Sequence, residues 1–193
     1  THSFDPATGR SIDTFPGRAV WSGGTRVVLT DGEFEITGGT ATATAVRVAQ
    51  RVEVVAGTTR RTVTDARTLA ASPALRTVPD AARIPLITQI APTADPGHVL
   101  VTLARLGAQQ GQTTRTPAHV VVRIADGQPV HVLPIPVDVG PADLAWSPTA
   151  FVAGYGTAEV IPATGALVRS AVIVDPLGGV VRMKVDGRFA GWS

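Results

Sequence analysis

The chain has 193 residues, no cysteine, 5% aromatic residues and a formal net charge of +2. The length suits one large β domain or two small ones, and the missing cysteine excludes disulfides, thiolate metal sites and a cysteine nucleophile. Sixteen of the seventeen basic residues are arginine, and Arg60-Arg61 is the one adjacent pair, so no basic patch for nucleic acid is expected.

The opening Thr1-His2-Ser3-Phe4-Asp5 is polar and does not read as a signal peptide. Further along, Phe15-Pro16-Gly17 predicts a turn, Arg18 to Trp21 a short strand, and Ser22-Gly23-Gly24 a second turn. Residues 26–36 then read as a hairpin closed by Asp31-Gly32, because a tight hairpin turn needs positive φ and glycine supplies it. That register pairs Leu29 with Phe34 and Val27 with Ile36 on a buried face.

Residues 42–55 alternate as one long strand, with Val46, Val48, Val52 and Val54 on one face and a bend expected near Gln50. Gly57 ends it, and Thr59 to Thr64 return as its partner. Asp65 is placed to cap a short helix through Ala71, stopped at Ser72-Pro73. The prolines 73, 79, 85 and 92 make 65–95 an irregular connection, with one more turn at Asp80 to Arg83. It divides a β unit at 1–64 from another at 96–193.

His98 to Leu106 predicts a strand and Gly107 to Pro117 an exposed loop. Asp126-Gly127 closes a second hairpin over 119–133, in a register pairing Val122 with Val132 and Arg123 with His131. Pro134 and Pro136 mark an edge or linker, and Leu144–Trp146 a short strand. Four short strands follow: Ala150–Ala153, Thr157–Ile161, Leu167–Val174 and Val180–Val185. Gly154-Tyr155-Gly156 is the first turn between them. Val181, Met183 and Val185 share a face, and Asp186-Gly187 returns the chain so that Trp192 opposes Val181.

Chemistry-bearing patterns are sparse. His2, His98, His119 and His131 show no metal-ligand spacing on one element; His119 and His131, near each other across a hairpin, are the best pair. There is no nucleophile elbow, P-loop or dinucleotide fingerprint. Ser22-Gly23-Gly24-Thr25 lies between strands and lacks the helix start that would hold phosphate. Glu33 and Glu35 read as a solvated face, not a glycosidase pair. Thr1 as an N-terminal nucleophile lacks the helical layer such enzymes carry. No catalytic, cofactor-binding or metal site is assigned, and no cofactor is expected.

Two resemblances add to this. Phe4-Asp5-Pro6-Ala7-Thr8-Gly9-Arg10 with Trp21-Ser22-Gly23-Gly24-Thr25, and Leu144-Ala145-Trp146-Ser147-Pro148 with Pro162-Ala163-Thr164-Gly165, resemble blades of TolB-like or quinoprotein-like β-propellers. They cover residues 4–25 and 144–165 and imply repeats of about 40–45 residues, though 42–140 shows none. The Gly-punctuated strands ending in Val180 to Gly187 resemble β-rich tail or fibre proteins of phages.

The expectation is an all-β fold of antiparallel sandwich or barrel-like sheets built from hairpins, with little helix. The function read from it is a non-catalytic structural or adhesive subunit of a larger assembly, a virion, tail or surface appendage. The alternative is a propeller-like binding module or ectodomain of an exported protein; a hydrolase with no recognisable site ranks third. The expected partners are further copies or other subunits, with no nucleic acid and no membrane insertion. The unguarded Val-rich strand at 42–55 suggests contact through strand edges. A virion or cell-surface location follows from that reading.

Overall fold

The computed structural model describes residues 2–4, 11–14, 18–22, 24–30, 34–37, 45–48, 50–75, 85–105, 118–136 and 139–192. Strands β1 (His2–Phe4) and β2 (Ser11–Thr14) form a small antiparallel pair. β3 (Arg18–Ser22) and β4 (Thr25–Thr30) follow, then β5 (Phe34–Thr37), β6 (Ala45–Val48), β7 (Arg51–Ala56) and β8 (Thr59–Asp65). Helix α1 (Ala66–Ala71) and a 3-10 turn (Pro73–Leu75) lead to β9 (Pro85–Pro92), β10 (His98–Arg105), β11 (Ala118–Arg123) and β12 (Pro129–Val132). A second 3-10 turn (Pro141–Asp143) precedes β13 (Ala145–Trp146), β14 (Ala153–Val160), β15 (Leu167–Asp175) and β16 (Val180–Asp186).

These strands make three antiparallel four-stranded sheets, ordered β3-β4-β7-β8, β9-β10-β11-β12 and β13-β14-β15-β16. The all-β expectation holds, and none of the three closes into a barrel. The second and third sheets are uninterrupted meanders; the first is a meander with the β5–β6 pair inserted.

The sheets stack face to face. Val27, Leu29, Val52 and Val63 of the first sheet share a core with Val99, Val101, Leu103, Val120 and Val122 of the second. The opposite face of the second sheet, through Leu100 and Val121, packs against Ala153, Tyr155, Val172 and Val174 of the third. Successive residues of β10 therefore alternate between two cores, and Val99, Leu100 and Val101 are all fully buried. This explains why β10 and β11 read as nearly continuous apolar runs: a strand covered on both sides has no polar face. Full burial of each such side chain contributes about 1.5–3 kcal/mol. The units expected on either side of 65–95 share the first of these cores, and Leu69 and Leu75 fill it from that connection.

Several local expectations hold. Asp65 caps α1, its carboxylate accepting from the Thr68 N–H at 2.7 Å. Gly57, at φ +58°, turns β7 into β8. The expected bend at Gln50 is a full break: its buried Oε1 accepts the Ile87 N–H at 2.8 Å, tying the first sheet to the second.

Other expectations are corrected. β4 does not pair with β5; both its edges are taken, by β3 and β7. β5 pairs with β6 instead. Leu29 is buried as expected, whereas the Asp31-Gly32 turn and the Phe34 side chain lie outside the described residues. So do the turn at 80–83 and the loop at 107–117. The stretch 65–95 contains a strand, β9, because Pro85 and Pro92 stand at its ends on a sheet edge, where a missing N–H costs little.

In the hairpin at Asp126-Gly127, Val120 opposes Val132 and Val121 opposes His131. The register slips after Val121, so that Val122 opposes Pro129, and the Gly127 N–H bonds the Arg123 carbonyl at 2.9 Å to close the turn. The Ile124 N–H continues the β10–β11 ladder to the Gly97 carbonyl at 2.8 Å, and its side chain enters the core. β14 runs straight through Gly154-Tyr155-Gly156, which is no turn. A Cβ at Gly154 would stand 2.4 Å from the Phe189 ring, so the glycine makes room for an aromatic side chain. Residues 188–192 form no strand, and Trp192 does not oppose Val181. The Gly187 N–H bonds the Arg169 carbonyl, and the Trp192 indole N–H reaches the Ala145 carbonyl at 2.8 Å.

Candidate functional site

His98, His119 and His131 stand on β10, β11 and β12. His119 and His131 share one hairpin but sit two ladder positions apart, since His131 opposes Val121, and His119 is buried while His131 is exposed. His119 Nδ1 and Thr102 Oγ1 are 3.1 Å apart, while its Nε2 has no hydrogen-bond partner. Burial holds its pKa below the ordinary value, opposed weakly by the Val139 backbone. His119 is thus a neutral ring inside the interface between the second and third sheets.

His98 forms the one histidine–carboxylate contact among the described residues, Nδ1 to Asp95 Oδ2 at 3.0 Å. Its ring stacks on Phe151 at 5.2 Å, and Phe151 stacks on Trp146 at 5.4 Å. A His–Asp pair next to hydroxyls invites comparison with nucleophilic catalysis. The geometry opposes it. Ser22 Oγ lies 3.1 Å from the carbonyls of Pro96 and His98, and Thr93 Oγ1 donates to Asp95 O at 2.7 Å. Both hydroxyls thus address backbone oxygens, not the imidazole, and hold the β9–β10 turn.

Trp21-Ser22, Pro92-Thr93 and Trp146-Ser147 each stand at the end of the first strand of a sheet. Ser147 Oγ accepts the Ala150 N–H at 3.2 Å as the chain turns toward the second strand.

No group of three or more His, Asp or Glu side chains able to hold a metal occurs among the described residues. Of the adjacent arginines, Arg60 pairs with Glu53 at 3.3 Å, and Arg61 donates to the Ile124 carbonyl at 2.8 Å. Thr1 and Glu33, and the side chains of His2 and Glu35, lie outside the described residues.

What stands out is a surface. Among the described residues, eight of the nine exposed large apolar side chains fall between Val160 and Val185, all in or beside the third sheet. Directly opposed residues share a face, so the pairs Val160–Leu167, Ile173–Met183 and Ala171–Val185 lie together on the side turned away from the second sheet. Arg169, opposite Ala158, is the charged residue of that face within the β14–β15 ladder. A bulge at Arg182 puts Val181 opposite Val174, on the other face, contrary to the simple alternation of β16.

Asp175 steadies the β15–β16 turn, accepting from the N–H groups of Leu177 and Gly178 at 3.0 and 3.1 Å. Its hydrogen-bonded ion pair with Arg182 chiefly holds its pKa below the usual carboxylate range.

Of the Val-rich segment thought to carry an open edge, the β7 half is paired on both sides, by β4 and β8, while the β6 half pairs with β5. No family model, no curated protein and no solved structure matches the chain.

Proposed function

We propose that this chain is a non-catalytic β-sheet module that works by binding protein. The observation that carries this reading is the concentration of exposed apolar side chains on the outer half of the third sheet. A contiguous apolar patch costs free energy in water and marks an interaction surface in a folded protein. The hydroxyls near the His98–Asp95 pair are spent on backbone carbonyls, which removes the best acid–base arrangement the described residues offer.

Within this reading a propeller-type binding module is favoured over a tail or fibre component. Its support is that Trp21-Ser22 and Trp146-Ser147 both stand at the end of the first strand of a four-stranded sheet, in a stack of three such sheets. The second reading, a structural subunit of a virion or surface appendage, draws on the same apolar face.

The test is a photoreactive residue at position 185, compared with one at exposed Arg67 on α1, with irradiation in the native host. A discrete protein adduct from position 185 and none from 67 supports the module. Equal labelling from both, or none from either, contradicts it.

A further inference from the structure

The first strand of each four-stranded sheet runs beside the second, but not for the same length. β3 pairs with β4 along all five of its residues, and β9 pairs with β10 from Pro85 to Pro92. β13 reaches β14 only at Ala145 and Trp146, opposite Gly154 and Ala153. β14 is eight residues long, and its edge from Gly156 to Val160 has no neighbouring strand among the described residues. Upstream of β13 the chain leaves that line for a 3-10 turn, as Val139 and Leu144 enter the core shared with the second sheet.

The ladder fixes which groups face the open edge. The Ile161 N–H bonds the Ala166 carbonyl at 2.9 Å, and the register with β15 then runs from Val160 to Ala153 without a bulge. Bonded and non-bonded positions alternate in an antiparallel ladder. Thr157 and Glu159 therefore turn their backbone groups to β15. Gly156, Ala158 and Val160 turn theirs outward, a row of N–H and C=O groups about 14 Å long. All three residues are exposed. Other edges carry guards: a bulge and Lys184 on β16, Pro129 on β12, and Arg60 with Arg61 on β8. β14 has no proline, lysine or bulge. Its one charge, Glu159, has Val168 opposite it and makes no ion pair among the described residues.

We infer that the β14 edge from Gly156 to Val160 receives an extended segment of a partner protein as an added antiparallel strand, apolar opposite Ala158 and Val160 and basic opposite Glu159. This rests on the protein-binding reading above and names what the partner presents. A row of alternating backbone donors and acceptors is met in full by another strand. Directly opposed residues share a face, so the partner's side chains opposite Ala158 and Val160 join exposed Val160 and Leu167, while Phe189 already lies over Gly154 and Gly156. A second copy fits worse. Paired about Ala158, it sets Thr157 against Glu159; moved one step toward Val160, it sets Glu159 against Glu159.

The probe is a short fluorescent peptide of alternating valine and lysine, titrated with the whole chain and read by anisotropy. It should bind saturably, and Ala158→Pro should abolish binding. Ala158 gives no backbone bond to β15, so proline there blocks the edge and spares the ladder. Glu159→Lys should weaken binding roughly tenfold, and it carries the test if the proline variant does not fold. In this register the valine amides face β14. N-methylation of the valines should therefore abolish binding, and N-methylation of the lysines should leave it within about twofold. Absence of binding, binding that survives both substitutions, or equal effects of the two methylations overturns the inference. A chain that sediments as a dimer and loses the dimer in Ala158→Pro makes a second copy the occupant, which overturns it as well. If the probe fails while position 185 still gives a discrete adduct, the edge is removed and the protein-binding reading stands.

Discussion

The second and third sheets are built from nearly the same residues and fare differently. In β10, Val99, Leu100 and Val101 are each fully buried, because sheets cover both faces. In β15 and β16, the inner residues Val172 and Val174 are as deeply buried, but Met183 and Val185 beside them are about half exposed. The alternation that sequence reading looks for arises only when one face meets water. Where both faces are covered, it disappears. Where a strand has the doubly covered composition and only one cover, apolar side chains stay exposed.

Truncation tests this contrast most strongly. Leu100→Ala should cost about 2–5 kcal/mol in chemical denaturation, because it opens a cavity between two packed sheets. Met183→Ala should cost under about 0.5 kcal/mol in dilute solution, where nothing covers it. Similar costs for the two would break the comparison.

A second test stays within the third sheet. Gly154→Ala places a methyl group against the Phe189 ring and should destabilise by about 1–3 kcal/mol. Adding Phe189→Ala should recover part of the loss, since the two groups compete for one space. Strictly additive costs would mean that the ring does not lie over Gly154.

The interface between these two sheets should also respond to pH. His119 has a folded-state pKa lowered from 6.5, chiefly by burial. The unfolded chain therefore binds a proton that the folded chain refuses, so this contribution is fully present above pH 6.5 and falls as the pH drops below it. The slope is at most about 1.4 kcal/mol per pH unit. Thermal unfolding at pH 7.5 and 5.5 reads it, and the double variant Thr102→Val with His119→Leu should flatten the difference. An unchanged difference in that variant would assign the pH dependence elsewhere.

The smallest effect lies at the end of the first core. Asp65→Ala removes the cap of α1 and should cost about 1 kcal/mol by denaturant titration. A neutral result would mean that Leu69 and Leu75 hold that corner without the helix start.

How far the sequence reached follows from where its signals are local. Asp65 caps the helix and Gly57 turns the chain because each acts on neighbouring backbone, and both were legible. Asp126-Gly127 does close a hairpin, yet its register departs from simple alternation, since the ladder slips after Val121 and sets Val122 opposite Pro129. Asp31-Gly32 misled because β4 finds its partners in β3 and β7. Gly154 and Gly156 looked like a turn, but Gly154 has no side chain for the sake of Phe189, more than thirty residues later. The site was less legible than the fold: His119 is buried and His131 exposed although they share one hairpin, and the exposed face of the third sheet depends on which strands cover which, a relation between distant segments.

Amide hydrogen exchange, followed by peptide in dilute solution, tests the central claim that the second sheet is covered twice and the third once. Peptides from β10 and β11 should exchange last, through global unfolding alone, and β16 should exchange earliest of the three long strands of its sheet. Exchange in β10 and β11 as fast as in β16 would contradict the stacked arrangement.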